Sequence, residues 1–249
     1  MNNPSGDFQL GVLQCDEVRP ELKVKYGDYN QMITSAIATT THDIYSATYR
    51  VFEGSFPDSP HDCDGWITTG SRHSVNDNSD WTRDLLSFVK SISKSGRPFV
   101  GICYGMQMMA KALGGIVDMT PIGWSVGVKT SRLHTGEEWL NNTLTKKINL
   151  LVSHREQVLR LPEGARCIAS SGTCTNAIIG LGSSMIGFQG HPEFSPDYAR
   201  ELMELRRDVI PEKTIESGLG SLTTVIDNEA IFSSIVQFLR ASGSRFGTD

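Results

Sequence analysis

The segment PFVGICYGMQ, residues 98–107, changes from a strand pattern to a helix pattern within one turn. The apolar run Phe99–Ile102 leads directly into Cys103, and helical periodicity begins at Tyr104. Glycines two residues before and after the cysteine let neighbouring strands and the helix come close. This is a nucleophile elbow with cysteine in place of serine. A helix N-terminus at the sulfur favours the thiolate and supplies N–H groups for an oxyanion.

Outward from this segment, short apolar runs alternate with longer stretches of helical periodicity. This alternation predicts an α/β fold with a mostly parallel sheet. Residues 123–190 are richer in strand signals, so we expect antiparallel strands at one edge. Residues 208–225 contain Pro and Gly with little periodicity and predict a surface excursion before a closing helix. The predicted strands are Phe8–Leu13, Gly65–Thr69, Pro98–Ile102, Val126–Ser131, Asn149–Val152, Ala177–Leu181 and Met185–Gln189; the predicted helices are Trp81–Ser93 (N-cap Asp80), Tyr104–Leu113, Pro196–Arg207 and Asp227–Leu239.

Length and composition narrow the function classes. The chain has 249 residues, a net charge of −5 and 39% hydrophobic residues, which predicts one globular domain spanning residues 1–249. The mild acidity argues against a nucleic-acid partner and a membrane-surface patch. With no secretory signal pattern and no spanning apolar run, we expect a cytoplasmic protein. Five scattered cysteines and isolated histidines predict reduced thiols and no metal site, and the glycine pattern implies no nucleotide cofactor.

A base for the cysteine is predicted at the end of another strand. The run MIGFQ, residues 185–189, is followed by Gly190, His191, Pro192 and Glu193. Residues two apart on an extended segment project to the same side, so Glu193 can orient the His191 imidazole. We therefore predict a catalytic triad of Cys103, His191 and Glu193.

A third strand end completes the predicted site. The strand GWITT, residues 65–69, precedes Gly70 and Ser71. Loops at the carboxyl edge of a parallel sheet lie side by side, which places this loop beside the elbow. A backbone N–H of Gly70 or Ser71, together with that of Tyr104, would form a two-donor oxyanion hole. The sequence leaves open which of Gly70 and Ser71 acts.

One motif would indicate a serine hydrolase, but it lacks the preceding strand and the following helix that a nucleophile elbow needs. Gly123–Gly127 reads G-x-S-x-G, the pattern of a serine hydrolase. Pro121 precedes it where a strand should be, and the residues after it alternate like a strand and not like a helix. We therefore exclude Ser125 as a nucleophile.

At the three strand ends the chain resembles the class I (triad) glutamine amidotransferase family, over nearly its whole length. The resemblance implies a flavodoxin-like open sheet with helices on both faces, and the triad roles given above. It also implies that the side chain of Gln107, backbone groups of Gly127 and Val128, and the segment Ser153-His154 bind or flank the glutamyl head of the substrate. Two departures stand out: Glu156 replaces a usual Asp, and residues 69–72 read TGSR where many members have SGGP.

The resemblance implies hydrolysis of a γ-glutamyl amide through a thioester on Cys103, without a cofactor. The segments KYGDYNQMI (residues 25–33) and SRHSVNDNSDW (residues 71–81) resemble the stand-alone γ-glutamyl peptidase branch. A glutaminase subunit that delivers ammonia to a synthetase partner is the alternative, and an idle regulatory homologue is a third. The leaving group stays open, since the predicted loops Asp16–Asn30 and Ser74–Asp80 would select it.

Overall fold

The computed structural model of the chain describes residues 7–134, 136–140, 144 and 146–243. Its helices are α1 (Pro20–Tyr26), α2 (Tyr29–Thr40), α3 (Asp80–Ser95), α4 (Tyr104–Ala112), α5 (Pro196–Glu204), α6 (Glu212–Ser221) and α7 (Asn228–Gly243). Its strands are β1 (Phe8–Gln14), β2 (Ile44–Arg50), β3 (Gly65–Thr68), β4 (Phe99–Ile102), β5 (Ile116–Met119), β6 (Ser125–Leu133), β7 (Lys147–His154), β8 (Glu156–Arg160), β9 (Ala165–Ser170), β10 (Ile178–Leu181) and β11 (Met185–Phe188).

A nine-stranded sheet has the order β2-β1-β3-β4-β11-β10-β9-β6-β7. The first five strands are mutually parallel, and their order is that of a flavodoxin-like sheet. The last four strands pair antiparallel and extend one edge. Strands β5 and β8 form a separate antiparallel pair. The predicted flavodoxin-like fold with antiparallel strands at one edge is confirmed.

Helices cover both faces of the sheet because neighbouring residues of its central strands are buried on opposite sides. In β1, Val12 packs with residues of α2 and α7, whereas Leu13 packs with residues of α3 and α4. Both side chains are fully buried. A parallel sheet covered on both faces needs strands that are apolar throughout, which is why these strands read as continuous hydrophobic runs. Among the described residues, no helix has the length and apolar character needed to cross a membrane.

Several predicted loops were wrong, one predicted N-cap was wrong, and several strands were not predicted. The predicted surface excursion contains α6, which buries Ile215 and packs Gly218 against Val126 of β6. The predicted loop at residues 16–30 contains α1 and the start of α2. The N-cap of α3 is Ser79, whose hydroxyl accepts from the Thr82 N–H, and not Asp80. Strands β2, β5, β8 and β9 were not predicted.

Candidate active site

Cys103 lies at the turn between β4 and α4, in an unusual backbone conformation. Its φ of 49° and ψ of −100° make it the one non-glycine residue with positive φ among the described residues. Such a conformation costs on the order of 1–3 kcal/mol and persists only where the surroundings enforce it. The Cys103 N–H donates to the Phe188 carbonyl at 2.7 Å, which ties the turn to the end of β11. Cys103 therefore occupies a sharp strand-to-helix turn, as expected for the predicted elbow.

The two glycines of the elbow are required by close approaches. A Cβ on Gly105 would lie 1.5 Å from the Thr68 hydroxyl oxygen of β3. A Cβ on Gly101 would lie 2.6 Å from the backbone carbonyl carbon of Gly105 and from the backbone nitrogen of Met106. Neither contact is sterically possible, so only glycine lets α4 start directly above β3 and β4.

His191 and Glu193 follow β11, which is the parallel neighbour of β4. The His191 Nδ1 and a Glu193 carboxylate oxygen are 2.7 Å apart, and both side chains are buried. The imidazole stacks on Phe194, with ring centres 4.0 Å apart and planes inclined by 7°. The backbone N–H of His191 donates to the Leu151 carbonyl of β7 at 2.7 Å. The ring is thus held by an ion pair and a stacking contact, and the backbone of the residue is held by its hydrogen bond to β7.

Gly70 joins the histidine to the cysteine. A Cβ built on Gly70 would lie 2.7 Å from His191 Cε1 and 3.8 Å from Cys103 Cβ. The backbone of Gly70 therefore lies against both side chains. Ser71 borders the same cavity as Cys103, and Tyr104 supplies the first N–H of α4. The structure brings all three predicted oxyanion residues to the elbow, and the choice between Gly70 and Ser71 stays open.

The charge balance around His191 favours its protonated form. Burial by itself would lower the pKa of His191, but the negative charges of Glu193 and Cys103 outweigh burial and raise this pKa above its ordinary value. A positively charged imidazole at neutral pH can hold a neighbouring thiolate as an ion pair. It can also donate a proton to a leaving amine.

Gln189, which the sequence analysis did not select, contacts Cys103. Its Nε2 donates to the Cys103 sulfur at 3.5 Å, and its Oε1 accepts from Gln107 Nε2 at 3.2 Å. Gln107 Nε2 also donates to the Glu156 carbonyl at 2.8 Å. A buried polar residue at the end of an apolar strand, two positions before His191, was the available signal.

Cys103 opens onto a cavity of about 180 Å³. Gln107, Ser153 and His154, which the family resemblance places at the glutamyl head of the substrate, line it, and Glu156 lines it as well. Further lining residues come from the loops that the sequence analysis expected to select the leaving group, from the position between His154 and Glu156, and from segments that the sequence analysis did not connect with the site. They include Arg19, Arg72, His73, Ser74, Trp124, Arg155, Arg206 and Val209.

His154 lines the cavity with a neutral ring that has one unused hydrogen-bond acceptor. Burial, followed by the positive charges of His191 and Lys129, lowers the pKa of His154 to about 4, so the ring is neutral at pH 7. Its Nδ1 lies 3.2 Å from the Glu156 carbonyl, which can only accept, so the proton sits on Nδ1. The buried Nε2 is then a bare acceptor without a partner among the described residues.

The structure does not bring Gly127 and Val128 to the cavity. The Val128 N–H donates to the Ser221 hydroxyl of α6 at 2.8 Å, so it is already engaged. Gly127, at φ +80°, packs against Gly218 and Ser221. These two residues position α6 against β6. Ser125 begins β6, is buried, and lies 3.3 Å from the Thr173 hydroxyl, so it is not at a strand-to-helix turn.

Comparisons with known proteins point to one family. The family model described as glutamine amidotransferase class-I matches residues 26–206. A glutamine amidotransferase-like protein of Schizosaccharomyces pombe is 30% identical, covering 94% of this chain and 99% of the relative. Gamma-glutamyl peptidase 3 of Arabidopsis thaliana is 26% identical, covering 79% of this chain and 80% of that protein.

One further match is to part of a larger enzyme, and another is a similarity of fold to a solved structure. The glutamine-hydrolysing GMP synthase of Macrococcus caseolyticus is 33% identical over 56% of this chain, which is 26% of that enzyme. The crystal structure of a glutamine amidotransferase from Methylobacillus flagellatus superposes with a TM-score of 0.73 at 21% identity, covering 96% of this chain and 95% of that one. This structural likeness supports the fold alone.

Proposed function

The chain belongs to the class I glutamine amidotransferase family, and from this membership we propose that it hydrolyses a γ-glutamyl amide bond through a thioester on Cys103. The observation that carries the proposal is the meeting of Cys103, Gly70 and His191 at one point, with His191 held by Glu193 at 2.7 Å. Membership in the class I family supports a γ-glutamyl group as the acyl part of the substrate. The likeness to a gamma-glutamyl peptidase favours a substrate larger than glutamine.

In the first half of the reaction, the Cys103 thiolate attacks the δ-carbonyl carbon of the γ-glutamyl group while His191 holds the thiol proton. Backbone N–H groups of Tyr104 and of Gly70 or Ser71 receive the developing oxyanion. As the C–N bond breaks, the His191 imidazolium gives its proton to the departing amine nitrogen. The products of this half are the free amine and a γ-glutamyl thioester on Cys103.

In the second half, a water molecule takes the place of the departed amine. His191, now neutral, accepts a proton from this water as its oxygen attacks the thioester carbonyl carbon. The C–S bond breaks, the proton taken from water stays on His191 beside the restored Cys103 thiolate, and glutamate leaves. Glu193 keeps the imidazole oriented through both halves and does not itself lose or gain a proton.

The proposal is tested with Cys103→Ala and a glutamine-like chloroketone. We expect Cys103→Ala to abolish glutamate release and the chloroketone to add one label, at Cys103. Burial raises the pKa of Cys63 to about 11 and that of Cys174 to about 12, so these thiols stay protonated and unreactive. Cys63→Ala is the matched control and should keep both activity and labelling. Labelling elsewhere, with an active Cys103→Ala variant, would contradict the proposal.

A glutaminase subunit that feeds ammonia to a separate synthetase is the second candidate. The match to a quarter of a GMP synthase favours it, because that enzyme is described as glutamine-hydrolysing. The two functions differ in basal rate. The hydrolase should cleave γ-glutamyl peptides as a purified chain, whereas the subunit should stay at background until a second protein is added.

A further inference from the structure

The cavity at Cys103 has a charge opposite to that of the whole protein. The chain carries a net charge of −5, yet four arginines and a single carboxylate, Glu156, line this cavity. Both Glu156 carboxylate oxygens accept from the Ser74 hydroxyl, at 2.9 and 2.8 Å. A concave site lined by one sign of charge selects a ligand of the opposite sign.

The four guanidinium groups are not equivalent. Arg72 pairs with the buried Asp16 at 3.0 Å, so its charge is already balanced. Arg19, whose Nε is buried without a partner, is available for the α-carboxylate of a γ-glutamyl head. Glu156, the single carboxylate that lines the cavity, suits the α-ammonium group of the same head. Two positive charges, those of Arg155 and Arg206, then remain.

Arg155 and Arg206 lie against one aromatic ring at the cavity. Their guanidinium carbons are 5.9 and 5.8 Å from the centre of the Trp124 ring. Arg206 is further fixed because its Nη1 donates to the Ser153 hydroxyl at 2.8 Å. Among the described residues, neither guanidinium forms an ion pair with a carboxylate. The ring orders both cations and leaves most of their N–H donors for a ligand.

We propose that Arg155 and Arg206, ordered on Trp124, form a subsite for a carboxylate on the leaving group, so that the substrate is a γ-glutamyl peptide or amino acid with a free C-terminal carboxylate. This inference rests on the proposed function. Ammonia, the leaving group of glutamine, would leave both cations unpaired, as would a neutral amine. A planar carboxylate matches the paired donors of a guanidinium.

The test compares γ-glutamyl-glycine with γ-glutamyl-glycinamide, which differ only in the terminal carboxylate. We expect kcat/KM to be about 10- to 100-fold higher for the acid, the usual range for a charge-assisted bond in a partly buried site. Arg155→Gln and Arg206→Gln should each reduce this acid-to-amide ratio, and Arg206→Lys should keep part of it. Arg132→Gln, which removes the same charge from an exposed position on β6, is the control and should keep the ratio.

Three results would overturn the subsite. The first is an acid-to-amide ratio of kcat/KM near one in the parent protein, and the second is a ratio that is unchanged in both Gln variants. The third is a decrease of kcat/KM by the same factor for acid and amide in those variants. The last result would assign the arginines to the carboxylate of the glutamyl head. Calorimetric binding of the same two peptides to Cys103→Ala gives the ratio without turnover. If the parent releases glutamate from neither peptide and not from glutamine either, the proposed function fails, while tighter binding of the acid would still support the subsite.

Discussion

Gly70→Ala separates the position of the catalytic base from the presence of an oxyanion donor. The added methyl group would lie 2.7 Å from His191 Cε1 and 3.4 Å from Nδ1, whereas ordinary contacts begin at 3.4 Å. The imidazole or the loop must therefore move by about 0.7 Å. The backbone N–H at position 70 is kept, so a change in rate reports a displacement of the imidazole or of that N–H and not the loss of a donor.

The structure indicates that this displacement reduces the rate and leaves the fold intact. His191 is held by Glu193 and by stacking on Phe194, so its ring cannot yield without losing one of these contacts. A shift of about 1 Å in a catalytic group costs about 100-fold, so we expect kcat to fall on the order of 10- to 100-fold. We would measure kcat/KM with a γ-glutamyl anilide together with Tm.

Two other glycines give the controls. Gly220→Ala places a methyl group on the exposed side of α6 with nothing within 4 Å, and should change neither rate nor Tm appreciably. Gly105→Ala collides with Thr68 and should lower Tm strongly. Parental activity in Gly70→Ala would refute the reasoning. A Tm loss in Gly70→Ala as large as that in Gly105→Ala would refute it as well, because the effect would then be on folding.

Three further predictions follow from the site and the core. Glu193→Gln removes a negative charge that raises the pKa of His191, so this pKa should fall and the alkaline limb of the kcat/KM profile, where the imidazolium loses its proton, should move to lower pH; an unmoved limb would contradict this origin of the raised pKa. Gln189→Leu removes the hydrogen bond to the Cys103 sulfur and should slow chloroketone alkylation about tenfold at unchanged Tm, with equal alkylation rates counting against a role for Gln189. Gly11→Ala puts a methyl group 2.2 Å from the Trp66 ring and should lower the free energy of unfolding by about 1–3 kcal/mol in denaturant titrations; an unchanged free energy of unfolding would contradict this close packing.

The parts of the site that were predictable are those encoded by adjacent residues. The elbow follows from a strand, a cysteine between glycines and a helix, all within ten residues. His191 and Glu193 were predictable because a strand end and the spacing of two residues fix which side chains can meet. The meeting of His191 with Cys103 needed one tertiary fact, the parallel pairing of β4 with β11, and the α/β alternation made that pairing reasonable.

The features that sequence patterns missed depend on contacts between distant segments. Helix α6 was hidden because glycine occupies one of its buried positions, so Ile215, Gly218 and Leu222 do not read as an apolar face. The same packing engages the Val128 N–H through Ser221 and keeps it from the cavity. Where a helix packs through a glycine, the sequence lacks the apolar side chain that would mark the buried face, and the helical hydrophobic periodicity is not detected.

The cationic subsite shows the same limit for function. Trp124, Arg155 and Arg206 come from the start of β6, the end of β7 and the end of α5, and no local pattern links them. Each alone reads as an ordinary surface residue, and only their common approach to one ring gives them a ligand preference. In the proposed function the bond-breaking chemistry is carried by the elbow and by the His191 strand end, whereas in the proposed subsite the leaving group is selected by side chains next to the antiparallel edge and α5. Exchanging those side chains should therefore change the substrate without changing the reaction.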